Sequence, residues 1–218
     1  MVLVIGVTGS IASGKSTACK LLESQGAVYC DADKLVHQMY APSKPAFYRI
    51  IDEFGEGVVG IDGYINRKIL GSKVFGDPKS MGRLTTAIGD IKQEVMDVMM
   101  EWRDNLSADD IALLEAVNFV EAGYGIHSDL TWLFAVEKET AVKRLMNRNS
   151  LNEKDANKRM ASQKDWRDRE EASDLVTHND GDLESLNKSV QTTIGRVVNM
   201  YKSGTLKPSK YNEWWNAR

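Results

Sequence analysis

Apolar residues along this chain fall into short β-branched runs that alternate with longer stretches of helical spacing. The first run covers residues 1–7 and leads directly into a glycine-rich stretch, after which apolar residues recur at the spacing of a helix. Four further apolar runs predict strands, at residues 27–30, 111–114, 130–136 and 175–177. Strands that alternate with helices are typical of parallel sheets, so the pattern predicts an α/β fold.

The segments between these strands differ in character. Residues 78–102 have helical spacing, whereas residues 55–77 contain six glycines and are expected to form a loop-rich insertion. The tail, residues 204–218, carries the pair Trp214 and Trp215 and forms either a packed C-terminal flap or a contact surface. We favour packing, because an apolar tail usually docks on its own domain.

Composition narrows the class of protein. The chain has 218 residues, 28 basic against 31 acidic side chains and a net charge of −3, so it has no general attraction for nucleic acid or for an anionic membrane. Its apolar start is far shorter than the roughly 20 residues of a membrane span. Cys19 and Cys30 are either buried thiols or one disulfide. We expect a cytoplasmic protein with small-molecule partners and a local anion site, and the oligomeric state stays open.

The glycine-rich stretch fits the phosphate-loop pattern G-x-x-x-x-G-K-[ST], with a strand before it and a helix after it. Glycines let backbone N–H groups surround a phosphate, and the helix N-terminus adds partial positive charge. Lys15 is expected to contact the β- and γ-phosphates, and the Ser16 hydroxyl to ligate Mg²⁺. A GTPase would also need the motif N-K-x-D, which fails here because position 160 is Met. The residues expected to bind nucleotide are Gly9, Ser10, Ile11, Ala12, Ser13, Gly14, Lys15, Ser16 and Thr17.

Carboxylates follow two of the predicted strands. Asp31 and Asp33 stand where the second strand ends, at the edge of an α/β sheet where ligands bind. A carboxylate there either accepts the proton of an attacking hydroxyl, holds Mg²⁺, or caps the next helix. Glu115 ends the run 111–114 and is either a carboxylate near the metal or a polar residue at a strand end.

A basic, helical region lies between the fourth and fifth predicted strands. Residues 143–169 carry nine basic against four acidic side chains. An interruption at 149–152, where Ser150 and Glu153 stand in capping-box register, predicts two helices that meet at a hinge. Such a region suits a lid over a triphosphate, although a solvated charged helix would look similar. By helical spacing, Arg144 and Arg148 share one face, and Arg159, Gln163 and Arg167 share another.

Over nearly the whole chain, the motifs occur in the same order as those of the dephospho-CoA kinase family, and the chain therefore resembles that family. The segments that carry the resemblance are 7–17, 31–34, Asp62 and Gly63 with Arg67, 144–148, 159–163 and 174–181. The resemblance implies a three-layer P-loop kinase fold with a five-stranded parallel sheet, a helical substrate-binding insertion and a helical lid. It also implies transfer of the γ-phosphoryl group of ATP, with Mg²⁺, to the ribose 3′-hydroxyl of dephospho-CoA.

The resemblance implies roles for individual residues as well. Asp33 would be the general base, Lys15 and Arg148 would act on the transferring group, and Arg144, Asn179 and Gly181 would bind the nucleotide. Arg67 and Glu121 join Asp33 on the acceptor side. The metal candidates come from the loop and the strand ends: Ser16 with Asp31 or Glu115, either of which could be the carboxylate that approaches the metal. The implied parts are a core of residues 1–35, 108–140 and 172–203, a substrate-binding region of residues 36–107 and a lid of residues 141–171.

Three positions depart from the family pattern. The family usually has two glycines where Gly9 and Ser10 stand, a His-Pro pair where Gly89 and Asp90 stand, and Pro-Leu-Leu where residues 117–119 stand. The last two lie in the half that resembles the acceptor site. A related P-loop kinase with another nucleotide or small hydroxyl acceptor is therefore one alternative function. An ATP-binding sensor without turnover is a second, against which the intact Lys15, Ser16 and Asp33 argue.

Overall fold

The computed structural model describes residues 1–218 and contains an open, all-parallel sheet of five strands in the order β2-β3-β1-β4-β5. All five predicted strands are present, with ends that differ by one or two residues, which confirms the expected fold class. The strands are β1 (Leu3–Gly9), β2 (Val28–Asp31), β3 (Ile111–Glu115), β4 (Leu130–Ala135) and β5 (Leu175–His178).

Ten α-helices connect or follow the strands. They are α1 (Lys15–Glu23), α2 (Ala32–Met39), α3 (Pro45–Phe54), α4 (Arg67–Val74), α5 (Pro78–Ile88), α6 (Ile91–Asn105), α7 (Lys138–Asn149), α8 (Glu153–Ala161), α9 (Leu183–Lys202) and α10 (Lys210–Asn216). Three short 3₁₀ turns cover Glu56–Val58, Tyr124–His127 and Trp166–Arg169. No helix of the chain has both the length and the apolar character needed to cross a membrane.

The chain divides into two compact units, which we call the core unit and the helical unit. The core unit comprises Met1–Cys30 and Val98–Arg218, and the helical unit comprises Asp31–Asp97. Within the core unit, β1 is the central strand, and its residues pair with β3 on one side and β4 on the other. Every residue of β1 is buried, as expected for a strand with neighbours on both edges.

The core unit buries alternate strand residues against α1 and α9. This cluster contains Ile5, Leu113, Trp132 and Phe134 from the sheet, and the helices contribute apolar side chains such as Leu22. The helical unit has a core of its own, built from α3, α4, α5 and the segments beside them. Its buried apolar residues are Tyr40, Ala46, Phe47, Ile50, Phe54, Val58, Ile65, Leu70, Val74, Ala87 and Ile88.

Two segments differ from the sequence expectation. The predicted long helix at 78–102 is broken between α5 and α6, because Gly89 ends the first helix and the Asp90 carboxylate accepts the Gln93 N–H at the start of the second. The glycine-rich segment 55–77 is not only loop, because Asn66 caps α4 inside it.

The predicted break between two helices in the basic region is present, but the residue that caps the second helix is not the expected one. Helices α7 and α8 are separated at residues 150–152, as predicted. Ser150 ends α7 with a φ of 50°, and Asn152 is the N-cap of α8, where its side chain accepts the Asp155 N–H. The expected Ser150–Glu153 capping box is therefore wrong.

The C-terminal tail packs on the core unit, as expected. Tyr211 is fully buried, and its hydroxyl donates to the Val120 carbonyl at 3.0 Å. The Asp174 carboxylate accepts hydrogen bonds from the Ser209 hydroxyl and the Lys210 N–H, which holds the start of α10. Cys19 and Cys30 are both thiols.

Candidate active site

The glycine loop joins the central strand β1 to the start of α1. Ala12 and Gly14 both have positive φ angles, of 61° and 90°, which turn the loop around its own centre. Only glycine fits at position 14, since a Cβ there would lie 2.2 Å from Asn179 Nδ2. The first N–H groups of α1 have no acceptors within the helix, so the loop ends in donors and partial positive charge suited to a phosphate.

Three side chains from distant parts of the core unit hold the loop in this conformation. Gln163 Oε1 accepts the Ile11 N–H at 2.8 Å, and Asn179 Nδ2 donates to the Ser13 carbonyl at 2.8 Å. Arg144 Nη1 donates to the Ala12 carbonyl at 3.3 Å. The loop is thus braced before any ligand binds, which lowers the entropic cost of binding one.

Glu115, Lys15 and Ser16 meet where β3 ends beside the loop. The Ser16 hydroxyl donates to Glu115 Oε1 at 2.5 Å, and Lys15 Nζ lies 3.6 Å from the same oxygen. The second oxygen of Glu115 accepts a hydrogen bond from the Tyr29 hydroxyl. Lys15 and Glu115 are only 8% and 5% exposed, so their charges interact in a largely water-free environment.

These residues suit a magnesium ion and a polyphosphate. Carboxylate and hydroxyl oxygens are the hard ligands that Mg²⁺ prefers, and Ser16 and Glu115 bring one of each together. The Ser13 hydroxyl lies inside the loop, fully buried and without a hydrogen-bond partner. A buried, unsatisfied donor within an anion-binding loop fits a bound phosphate oxygen.

Arg144 joins the loop to the segment after β5. Its guanidinium donates to the Asn179 carbonyl at 2.8 Å and to the Gly181 carbonyl at 2.7 Å. A cavity of about 560 Å³ opens beside these contacts, large enough for a nucleoside. Arg148 stands at the exposed end of the same helix face and bonds only to the neighbouring Asn149. The cavity is lined by Ala12, Gly14, Thr17, Arg144, Asn147, Arg148, Asn179, Gly181, Asp182, Leu183 and Leu186.

Asp31 and Asp33 have different surroundings in the helical unit. The Asp31 carboxylate is the N-cap of α2 and accepts the N–H groups of Asp33 and Lys34 at 3.0 and 3.2 Å. The capping alternative therefore applies to Asp31. Asp33 is exposed in the first turn of α2, and its side chain is not the cap.

Arg67 lies against a histidine in the same unit. Its Nη1 is 2.7 Å from Nδ1 of His37, which stands one helical turn after Asp33. The pKa of His37 lies below its ordinary value, first because the imidazole is partly buried and second because the positive charge of Arg67 is close to it. Partial burial and the neighbouring arginine thus both favour the neutral imidazole.

The remaining candidates are distributed over the core unit. Glu121 forms an ion pair with Arg169 at 3.0 Å, and Arg169 is 3% exposed. The expected common face of Arg159, Gln163 and Arg167 is wrong, because α8 ends at Ala161. Beyond that end, Gln163 turns to the glycine loop and Arg167 pairs with acidic side chains.

Sequence reasoning missed two partners of the expected site. Tyr29 contacts Glu115, and the one signal for it was a hydroxyl in the otherwise apolar run 27–30. Arg169 was counted among the basic residues without a partner, although a buried charge must be paired. Neither pairing follows from spacing, since the partners lie 86 and 48 residues apart in the chain.

The loop between the central strand and α1, in an open parallel sheet, is the arrangement of a P-loop nucleotide-binding protein. The family model of dephospho-CoA kinase matches residues 3–185. The chain belongs to the dephospho-CoA kinase family, a family of ATP-dependent phosphotransferases, which confirms the resemblance drawn from the motifs.

Similar proteins cover nearly the whole chain. The dephospho-CoA kinase of Geobacter sulfurreducens is 35% identical over 189 residues, which are 86% of this chain and 95% of that protein. A solved structure from Thermus thermophilus superposes with a TM-score of 0.72 at 29% identity, over 89% of this chain and 97% of the other. The dephospho-CoA kinase of Campylobacter jejuni has the same fold, with a TM-score of 0.61 at 22% identity over 89% and 96%.

Proposed function

We propose that this protein transfers the γ-phosphoryl group of ATP to the ribose 3′-hydroxyl of dephospho-CoA, which gives CoA in the last step of CoA biosynthesis. The observation that carries the proposal is the cluster of Lys15, Ser16 and Glu115 beside a braced phosphate loop. This cluster supplies a cation, a hydroxyl and a carboxylate where the phosphates of a nucleotide would bind. Membership of the dephospho-CoA kinase family supports the choice of acceptor.

On the nucleotide side, Lys15 and the amides of residues 9–17 would hold the phosphates. The base and ribose would occupy the cavity beside Arg144, Asn179 and Gly181. Ser16, Glu115 and Asp31 are the proposed ligands of Mg²⁺, with Ser16 and Glu115 already in contact. The bound metal would neutralise charge on the β- and γ-phosphates.

On the acceptor side, Asp33 is the proposed general base. It is exposed and is not used as a helix cap, so its carboxylate is suited to accept the proton of the attacking hydroxyl. Arg67 and Glu121 are the proposed acceptor-binding residues, and Arg169 would hold Glu121 in place. Arg148 would stabilise the transferring phosphoryl group, because it is exposed and bonds only to its neighbour.

Two departures from the family pattern make another hydroxyl acceptor the second candidate. They are Gly89 with Asp90, which break the helix between α5 and α6, and Val117 with Asn118 after β3. Both lie in the half that resembles the acceptor site, so the acceptor needs a direct test.

The test supplies ATP and Mg²⁺ with dephospho-CoA or with a panel of other nucleosides and small alcohols. Phosphorus NMR should find the new phosphate on the ribose 3′-oxygen of dephospho-CoA. The Asp33→Asn variant should bind ATP normally and transfer about 10²–10⁴-fold more slowly. The matched control is Asp104→Asn, an exposed helical aspartate in the core unit, which should behave as wild type. Transfer to another acceptor but not to dephospho-CoA, or full activity of Asp33→Asn, would overturn the assignment.

We further propose that the partners are small molecules in the cytoplasm and not nucleic acid. The net charge of −3 gives no general attraction for a polyanion. Added RNA or DNA should leave turnover unchanged at low salt, and cell fractionation should recover the protein with cytoplasmic enzymes.

A further inference from the structure

The carboxylate of Glu115 has a third partner besides Lys15 and Ser16. Tyr29, on β2, donates its hydroxyl to Glu115 Oε2, whereas Lys15 and Ser16 both approach Oε1. The tyrosine ring is partly buried and packs against the apolar cluster of the core unit. One oxygen of Glu115 thus faces the phosphate loop, and the other is held by a phenol.

A glutamate carboxylate rotates easily about its last torsion angle, because that rotation has broad, two-fold minima. A charge-assisted O–H···O⁻ bond to Oε2 opposes this rotation. With Oε2 held, Oε1 remains the acceptor of the Ser16 hydrogen, and the lone pairs of the serine oxygen stay available to a metal ion. Without it, the carboxylate could rotate so that Oε1 leaves the Ser16 hydroxyl, and the serine oxygen would no longer be oriented toward a metal ion.

The choice of residue at this position supports a polar role. The other residues of the apolar run 27–30 are Ala, Val and Cys, and any aliphatic side chain would fill a partly buried strand position. The phenolic oxygen adds nothing to that packing, and it lies against a buried carboxylate. Ring packing and hydroxyl bonding can therefore be separated by removing the oxygen alone.

We propose that Tyr29 is a positioning residue that orients Glu115 and so couples Mg²⁺ to nucleotide binding in the phosphate loop. The inference rests on the proposed function only in so far as the loop binds a nucleotide with Mg²⁺. It does not depend on which hydroxyl compound accepts the phosphoryl group.

The test measures ATP binding by calorimetry, with and without Mg²⁺ and with no acceptor present. Tyr29→Phe should leave ATP binding without metal unchanged and weaken the enhancement by Mg²⁺ about tenfold, the size that one hydrogen bond to a charged group supports. In a Glu115→Gln background, Tyr29→Phe should have no further effect, because the two changes remove the same interaction. In turnover assays the apparent requirement for Mg²⁺ should rise more than the KM for the acceptor.

The matched control is Tyr201→Phe. The Tyr201 hydroxyl also makes hydrogen bonds in the core unit, to the carbonyls of Met1 and Val2, and should not affect the response to Mg²⁺. An unchanged Mg²⁺ response in Tyr29→Phe, or an equal loss in the Glu115→Gln background, would overturn the proposal. A Tyr29→Phe protein that fails to fold would assign the phenol a structural role and overturn it too. Tight MgATP binding without transfer to dephospho-CoA would refute the proposed acceptor and leave this test valid.

Discussion

Replacing Arg144 with alanine removes a connection between the phosphate loop and the segment after β5. The guanidinium bonds to the carbonyls of Asn179 and Gly181 at 2.8 and 2.7 Å, and makes longer contacts with the Ala12 carbonyl and Asn179 Oδ1. All four hydrogen-bond acceptors are oxygens of the protein itself, so this arginine connects two segments of the chain. We therefore expect Arg144 to position the nucleotide site, and its loss to weaken ATP binding and stability together.

The magnitude follows from the two short bonds. A hydrogen bond to a charged group contributes about 1.5–3 kcal/mol, and the lower end applies because Arg144 is only half-buried. The contacts at 3.3 and 3.4 Å add little. Allowing for relaxation of the exposed segment, we expect a loss of about 2 kcal/mol in the free energy of unfolding, or roughly 4–8 °C in Tm. The KM for ATP should rise by about tenfold or more, because the nucleotide must order the segment again on binding.

Calorimetry and steady-state kinetics check both effects, with two variants for comparison. Arg144→Lys keeps the charge but can reach only one of the two carbonyls, so it should recover about half of the lost stability. Arg148→Ala removes an exposed arginine of the same helix that contacts only Asn149. It should leave Tm unchanged and lower kcat, on the order of 10³-fold if the side chain stabilises the transferring group.

The reasoning fails if Arg144→Ala has the Tm of wild type and binds ATP within twofold of it. It also fails if Arg148→Ala is as destabilised as Arg144→Ala, since the carbonyl contacts would then not account for the difference. Normal kcat with weak acceptor binding in Arg148→Ala would place that arginine in the acceptor site.

Three further changes test separate parts of the structure. Lys15→Ala should abolish phosphoryl transfer with an unchanged circular-dichroism spectrum, because Lys15 binds phosphate charge and is not part of the apolar cluster of the core unit. Gly6→Ala should lower Tm by the equivalent of about 3 kcal/mol, because its Cβ would lie 1.9 Å from the Phe119 ring. His37→Gln should reduce the loss of stability in acid, measured by urea unfolding from pH 7 to 5. The pKa of His37 is lowered in the folded protein, so its contribution is complete above about pH 6.5 and is lost as the pH falls through the lowered value.

Each of these has a clear contrary outcome. Turnover by Lys15→Ala would remove the phosphate-loop assignment. Normal melting of Gly6→Ala would mean that the Phe119 ring moves without cost, and Gly6→Ala combined with Phe119→Leu should otherwise restore part of the Tm. An identical acid profile for His37→Gln would exclude this histidine as the source of the acid sensitivity.

The elements that depend only on residues close together in the chain can be predicted from the sequence alone. The phosphate loop, the five strands, the helix after the loop and the hinge between α7 and α8 all follow from patterns within a few residues. Such patterns report backbone conformation, hydrophobic periodicity and helix capping, which are local properties. Even there, side chains compete for one cap, and Asn152 replaced the expected Ser150 at the hinge.

The pairings that complete the site were decided only by the tertiary structure. The order of the strands brings Tyr29 to Glu115 and the segment after β5 to the phosphate loop, across 86 and 166 residues of chain. Glu121 pairs with Arg169, a partner that no spacing rule selects. A buried carboxylate or guanidinium must find a partner, but sequence alone does not say which of several charges lies within reach. The topology of the parallel sheet determines which charges lie within reach, because the sheet brings the ends of distant strands together at one edge.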